Sequence, residues 1–312
     1  MDKTIVIALG GNALGKNLTE QRINVARAAI PIADLIEAGY RVAICHGNGP
    51  QVGMIDLAFE TAARSEPSIH PMPLSTDCAM SQGYIGFGIQ KALYRELRGR
   101  GIDKSVATII TQVVIDPEDP AFDDPSKPIG TYYTQEEAAA MMRSFPEVIM
   151  REDSGRGWRR VVPSPQPREI IEAEVILSML DCGHVVVACG GGGLPVIRDG
   201  DGLLPWEAVI DKDFASELLA DVIGADVLMI LTAVDKVALD YGTENQRDLD
   251  VMTVSEAEAY IEQGQFAPGS MLPKVQAGLR FIRARAQGMV LITSLEKALE
   301  AMQGKTGTRI VA

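Results

Sequence analysis

The chain is 312 residues long, near the upper size of one domain and the lower size of two, and long enough to bury a substantial core. Its 29 basic and 42 acidic residues leave a formal charge of -13, which argues against nonspecific binding to nucleic acid or acidic membranes, where a basic surface is the usual footprint. No apolar run approaches the ~18 residues of a membrane helix, and Cys45, Cys78, Cys182 and Cys189 are scattered without a CxxC spacing, so buried reduced thiols and a cytoplasmic location are expected.

Without a signal-peptide pattern, the chain runs directly into Ile5-Val6-Ile7-Ala8-Leu9, which reads as a buried parallel strand. It breaks at the turn Gly10-Gly11-Asn12-Ala13-Leu14-Gly15. Apolar residues at helical spacing from Glu20 to Ala38 predict a helix that Gly39 stops, with Pro31 as a candidate kink. Arg41 to Cys45 is a second strand, opening into His46-Gly47-Asn48-Gly49-Pro50-Gln51-Val52-Gly53. Ser75, Thr76 and Asp77 are candidate caps of a long helix through Leu97, whose Gly83, Gly86 and Gly88 call for close packing. That helix reads equally as a dimer contact and as core. Val106 to Ile115 reads as one strand.

Asp116 to Pro167 carries eight prolines and acidic clusters. A structureless loop of that length does not suit a compact domain, so a small inserted lobe is expected. It contains Lys127 and the run Arg156-Gly157-Trp158-Arg159-Arg160. Helical spacing returns from Arg168 to Cys182, and Val185 to Cys189 is a further strand, followed by four glycines at 190–193. Val209 and Ile210 read as a strand end or packed turn before Asp211-Lys212-Asp213, with Asp213 and Ser216 as candidate caps of the next helix. Asp226 to Leu231 is a strand leading into Thr232-Ala233-Val234-Asp235. Thr253 and Glu256 have the spacing of a capping box for a helix through Glu262. A loop from Gly264 to Lys274 precedes a basic helix, and Met289–Ile292 and Arg309–Val311 are the last strands.

Alternating strands, glycine turns and helices predict an α/β fold, a three-layer αβα sandwich around a mainly parallel sheet, with the small inserted lobe at about 116–167. Ligands bind at strand carboxyl ends in such sheets. Neither GxGxxG nor GxxxxGK[ST] is present. Three glycine loops on adjacent strands would nevertheless build a wall of N–H donors for an anion, with Asn12 and Asn48 adding uncharged donors. Lys212 and Lys274 at helix starts, and Lys127 in the lobe, are the candidate cations. Phosphoryl transfer needs such charge neutralisation more than covalent chemistry. No residue set suggests a protein metal site.

Gly10-Gly11-Asn12-Ala13, His46 to Gly53, Val209 to Asp213 and Pro268-Gly269-Ser270-Met271-Leu272-Pro273-Lys274 together resemble the carbamate kinase branch of the amino acid kinase family, over essentially the whole chain. The resemblance implies a homodimer of two-lobed chains. Residues 1–205 would bind carbamate or carbamoyl phosphate, and residues 206–312 would bind ATP or ADP with Mg²⁺. It implies reversible phosphoryl transfer between ATP and carbamate, often run toward ATP in arginine catabolism. Gly10, Gly11, Asn12, Gly47, Asn48 and Gly49 would hold the substrate, and Lys127 would reach onto it. Lys212 would stabilise the moving phosphoryl group, Asp213 would orient the lysines, and Lys274 would neutralise nucleotide phosphates. Thr232, Ala233, Val234 and Asp235, with Tyr241, would border the adenine. Other amino acid kinases carry a lysine two residues before the first Gly-Gly; here that residue is Ala8, which favours the carbamate branch. Another small-acid kinase and a catalytically silent nucleotide-binding protein are the alternatives.

Overall fold

The computed structural model describes residues 3–10, 14–15, 17–146, 148–153 and 155–312. Gly11 and Asn12 lie outside the described residues. The order of elements is β1 (Thr4–Leu9), α1 (Leu18–Glu37), β2 (Arg41–His46), α2 (Gly49–Ser65), α3 (Leu74–Gly99), β3 (Val106–Thr108), β4 (Gln112–Ile115), β5 (Lys127–Tyr133), α4 (Gln135–Ser144), β6 (Ile149–Glu152), β7 (Trp158–Val162), β8 (Pro167–Ile170), α5 (Ala173–Asp181), β9 (Val185–Val187), β10 (Leu194–Asp199), β11 (Gly202–Pro205), α6 (Lys212–Val222), β12 (Val227–Thr232), β13 (Val237–Leu239), β14 (Arg247–Leu249), β15 (Val251–Thr253), α7 (Val254–Glu262), α8 (Met271–Ala284), β16 (Met289–Ser294), α9 (Ala298–Met302) and β17 (Thr308–Val311).

Among the described residues the main sheet has eight strands, in the order β15-β17-β16-β12-β1-β2-β9-β3. Every pairing is parallel except β16 with β17. Strands buried on both faces need to be apolar throughout, and all six residues of β1 are buried. One face packs on α1, α3 and α9 through Ile7, Ile32 and Leu93. The other packs on α5, α6, α7 and α8 through Ile176, Leu219 and Phe281. The expected three layers around a mainly parallel sheet are therefore present. The strands up to β9 form one half of this sheet, and those from β12 onward form the other half.

A second sheet, β11-β10-β4-β8, stands beside the first. Between β4 and β8 the chain leaves to build the inserted lobe, a three-stranded sheet β5-β7-β6 with α4. The lobe has its own small core of Ala138, Val148 and Met150. Arg160 ties it to α2 by an ion pair with Asp56 at 2.6 Å.

Several local expectations are corrected. Val106 to Ile115 is two strands in two sheets, because the Gln82 side chain takes both backbone groups of Thr111 (Thr111 N to Oε1 2.8 Å, Nε2 to Thr111 O 3.1 Å) and breaks the ladder there. The long helix starts at Leu74 without a cap from Ser75 or Asp77; its first N–H groups donate to Glu207, 133 positions away. Residues 167–170 form β8 and the helix begins only at Ala173. Asp211, not Asp213 or Ser216, caps α6 by accepting from Asp213 N at 2.8 Å. The helix after the 264–274 loop already begins at Met271, so Lys274 lies within its first turns. The hairpin β10–β11 has no counterpart among the expected strands. Cys182 is exposed, whereas the other three cysteines are buried. The capping box at Thr253 and Glu256 is present with both of its bonds. Among the described residues no helix is long and apolar enough to cross a membrane.

Candidate active site

Adjacent parallel strands β12, β1, β2 and β9 end on one edge of the main sheet, and their following loops line a cavity of about 1100 Å³. Gly10, Gly47, Asn48 and Gly49 all line it, as do Lys127, Lys212, Asp213 and Lys274. The volume exceeds what a small acid alone would fill and lies at the upper end for ligand clefts.

Gly47 extends the β1–β2 ladder, donating its N–H to Leu9 O at 3.2 Å. The Lys212 side chain lies over it; a Cβ on Gly47 would stand 3.3 Å from Lys212 Cδ. Below is His46, with no exposed surface. Burial pushes its pKa down to about 4, against the opposing pull of the Gly47 carbonyl, so the ring is neutral. Its Nδ1 lies 2.9 Å from Gly47 O and donates to it. His46 thus braces the loop and is not placed for proton transfer.

Asn48 precedes α2 but makes no side-chain cap bond. Its Nδ2 donates instead to Ser81 Oγ at 2.9 Å, and Ser81 donates onward to Cys78 O at 2.7 Å. The four-glycine loop after β9 acts differently from the expected wall of donors. The N–H groups of Gly192 and Gly193 are spent within the loop, on Cys189 O and Gly190 O. Its glycines serve close approach: a Cβ on Gly191 would lie 2.2 Å from Asn48 Nδ2, and one on Gly192 2.2 Å from Ile210 O. The loop is a wedge that holds Asn48 on one side and the turn before Asp211 on the other.

The cations are held by two aspartates. Lys212 Nζ donates to Asp213 Oδ1 at 2.5 Å, and Lys274 Nζ to Oδ2 at 2.9 Å. These side chains keep only 11%, 11% and 4% of their surfaces, in the order Lys212, Lys274, Asp213. Burial opposes ionisation of Asp213, yet the two ammonium groups overcome it and hold the carboxyl well below the usual range. Burial also pushes Lys212 down, helped by Lys274, whereas on Lys274 the attraction of Asp213 outweighs burial and raises the pKa. Lys127 reaches from β5 in the lobe to Asp211 Oδ2 at 2.5 Å. Burial opposes the charge of Asp211 as well, but the Lys127 ammonium outweighs it and holds the Asp211 carboxyl below its ordinary value. Among the described residues, five basic side chains (Lys127, Arg156, Arg159, Lys212, Lys274) and four acidic ones (Glu20, Asp211, Asp213, Glu296) line the cavity. It is locally positive in a chain of formal charge -13.

Thr232 and Ala233 line the cavity, but Val234, Asp235 and Tyr241 do not. Tyr241 stands 68% exposed. Sequence reasoning assigned no role to Tyr132, Arg156 and Arg159 of the lobe or to Ser270 and Glu296, all of which line it. A run of three arginines within five residues of an acidic chain was the available signal for the lobe residues. Among the described residues no group of three His, Cys, Asp or Glu side chains could hold a metal.

The model of the amino acid kinase family matches residues 3–293. The carbamate kinase-like protein YqeA of Escherichia coli is 53% identical over 310 residues, 99% of each chain. The carbamate kinase of Clostridium perfringens is 49% identical over 98% of this chain and 99% of its own. Among solved structures, the carbamate kinase of Giardia lamblia bound to AMP-PNP superimposes with a TM-score of 0.90 at 43% identity, covering 99% of this chain and 98% of that one.

Proposed function

The chain belongs to the amino acid kinase family, and from that membership we propose that it is a carbamate kinase, catalysing ATP + carbamate ⇌ ADP + carbamoyl phosphate. The observation that carries this reading is the pair of lysines on Asp213, facing the glycine-rich ends of β1 and β2 in one cavity. A carbamate oxygen attacks the γ-phosphorus as the bond to the bridging oxygen of ADP breaks. Carbamate is already an anion, so no base is required, and the buried neutral His46 suits that chemistry. Lys212 neutralises the moving phosphoryl group and Lys274 the nucleotide phosphates, while Asp213 sets both ammonium groups. Gly10, Gly11, Asn12, Gly47, Asn48 and Gly49 hold the acceptor, and Lys127 covers it. Thr232 and Ala233, with Val234, Asp235 and Tyr241 beyond them, form the nucleotide side. Residues 1–205 are the acceptor lobe and 206–312 the nucleotide lobe.

Mg²⁺ accompanies the nucleotide in this reading. It is commonly held by one or two carboxylates plus substrate phosphates, and Asp211 and Glu296 are the cavity carboxylates outside the Lys212–Asp213–Lys274 cluster on the α6 and β16 sides. When bound, the ion supplies charge neutralisation on the phosphate oxygens. The enzyme works as a cytoplasmic homodimer, making ATP in arginine catabolism.

The Escherichia coli relative is named only as carbamate kinase-like, at 53% identity, which makes transfer to another small acid the competing reading. A silent nucleotide binder is the second. The test is ATP formation from ADP and carbamoyl phosphate with Mg²⁺, set against Lys212→Ala and a panel of other acyl phosphates. ATP made from carbamoyl phosphate and lost in the variant, with ADP still bound, supports the reading. Turnover of a different acyl phosphate alone moves it to the first alternative, and bound nucleotide without any turnover moves it to the second.

A further inference from the structure

Successive residues of β7 face opposite ways, and the lobe uses this alternation with two arginines. Arg160 points to α2 and pairs with Asp56. Arg159 points to the cavity and lines it. Its guanidinium is held on three sides: Nη2 donates to Gly130 O at 2.9 Å, Nη1 donates to Asp153 Oδ2 at 3.3 Å, and Cζ lies 5.2 Å from the Tyr132 ring centroid. Gly130 sits at the irregularity of β5, with φ +71°, which presents its carbonyl to the arginine. The side chain is only 11% exposed.

Two features of this arrangement are unspent. The bond to Asp153 is long, and Asp153 already takes Arg156 at 2.8 Å. Arg159 Nε is buried and has no partner among the described residues, although a buried guanidinium donor without a partner is costly. Arg159 Nη2 lies 3.8 Å from where a Cβ of Gly49 would stand, at the first residue of α2. There a 17-residue helix presents its N-terminus, and the Asn48 side chain leaves it uncapped. A guanidinium fixed at the cavity wall beside the start of α2, where Pro50 has no N–H and Gly49 and Gln51 supply the leading amides, is a fork for a planar, anionic group.

We propose that Arg159 is a substrate-binding residue: its guanidinium binds the carboxyl or acyl oxygen of the small acid against the N-terminus of α2. This rests on the kinase reading above and names how the lobe recognises the acceptor. The lobe then supplies two cations, Lys127 for the phosphoryl side and Arg159 for the acyl side. When the acceptor arrives, Arg159 exchanges its long contact with Asp153 for the substrate oxygen, while Asp153 keeps Arg156.

The test compares the full chain with Arg159→Ala and Arg159→Lys, and with Arg151→Ala, whose pair with Asp124 lies on the exposed exterior of the same lobe. In ATP formation, Arg159→Ala is expected to raise KM for carbamoyl phosphate roughly 10- to 100-fold, the loss for charged hydrogen bonds, with KM for ADP unchanged. Arg159→Lys, which keeps the charge without the fork, regains only part, and Arg151→Ala matches wild type. Calorimetric titration of acetyl phosphate into Mg²⁺-free protein measures the same subsite without turnover, and Arg159→Ala is expected to bind it at least about 10-fold more weakly. Equal binding by wild type and Arg159→Ala, no binding by wild type, or a matched loss for both substrates that lysine fully restores would each overturn the assignment. Wild type that binds acetyl phosphate through Arg159 yet makes no ATP from carbamoyl phosphate would overturn the carbamate reading and leave Arg159 as a small-acid site.

Discussion

Lys274, in the first turns of α8, donates to Asp213, in the first turn of α6, at 2.9 Å across 61 positions of sequence. Lys212 takes the other oxygen of the same carboxylate. One side chain therefore sets the separation of two buried cations, and without it they repel one another. Removing one partner of a buried ion pair costs about 3–5 kcal/mol. Asp213→Asn is expected to lose stability on that scale in urea unfolding, and to lose turnover by roughly 100-fold or more. The sign with pH follows from the lowered carboxyl. Its stabilisation is present above the ordinary value of 3.8 and is lost as pH falls through the depressed folded value. The gap between wild type and variant should thus be full at pH 7 and shrink in strong acid. A gap independent of pH would mean that Asp213 does not act through its charge.

Lys127 connects the lobe to Asp211, the cap of α6, and crosses 84 positions to do so. Its partner is a carboxylate kept ionised by that contact. The lobe otherwise rests on α2, on the acceptor side of the cavity. Lys127→Ala is expected to weaken use of carbamoyl phosphate by about 10-fold or more, with ADP affinity near wild type. Titration of ADP alongside a carbamoyl phosphate saturation curve measures both. Equal losses for the two ligands would make the lobe part of the general scaffold.

Much of this was legible because it is local. Apolar runs such as Ile5 to Leu9 have one way to be buried, and Thr253 with Glu256 satisfies a helix start within four residues. Asp211-Lys212-Asp213 marked the site for the same reason, since helix caps and a cation stand together there. What escaped depends on distant partners. Glu207 starts α3 from the far side of the chain, and Gln82 splits an otherwise continuous strand pattern by binding Thr111. Arg159 and Arg160 are neighbours of identical chemistry, and only the seating of the lobe on α2, where Arg160 meets Asp56, decides which faces the cavity. The role of the four glycines was misjudged because glycine reports both free N–H groups and close approach, and sequence does not separate them.

Gly191 tests that distinction. It combines φ +67° with a Cβ position 2.2 Å from Asn48 Nδ2. Gly191→Ala must therefore strain the backbone and displace Asn48 from Ser81. A loss of about 1–3 kcal/mol is expected, with turnover falling roughly 10-fold or more as the loop moves. Gly39→Ala is the control: φ is +94°, but nothing lies within 4 Å of the added Cβ, so it carries strain without collision. Denaturant curves and turnover for both variants separate the two. If Gly39→Ala and Gly191→Ala lose activity equally, the wedge does not position Asn48.

Asp77 gives the opposite pH sign from Asp213. It lies inside α3 with no exposed surface, and neither carboxylate oxygen has a partner among the described residues. Burial, then the charges of Asp56, Glu207 and Glu60, push its pKa from 3.8 up to about 7, with Arg160 pulling the other way. Between those values the folded chain binds the extra proton and the unfolded chain does not. Stability from this group is therefore complete below about pH 4, falls as pH rises toward 7, and levels off above it. Asparagine has the shape of the neutral acid and never ionises. Asp77→Asn is expected to match wild type near pH 4 and to exceed it at pH 8 by roughly 2–4 kcal/mol, read from urea unfolding at the two pH values. A variant less stable than wild type at pH 8 would mean that Asp77 is ionised there and held by a favourable partner, and that the seam between α2, α3 and the lobe is built on its charge.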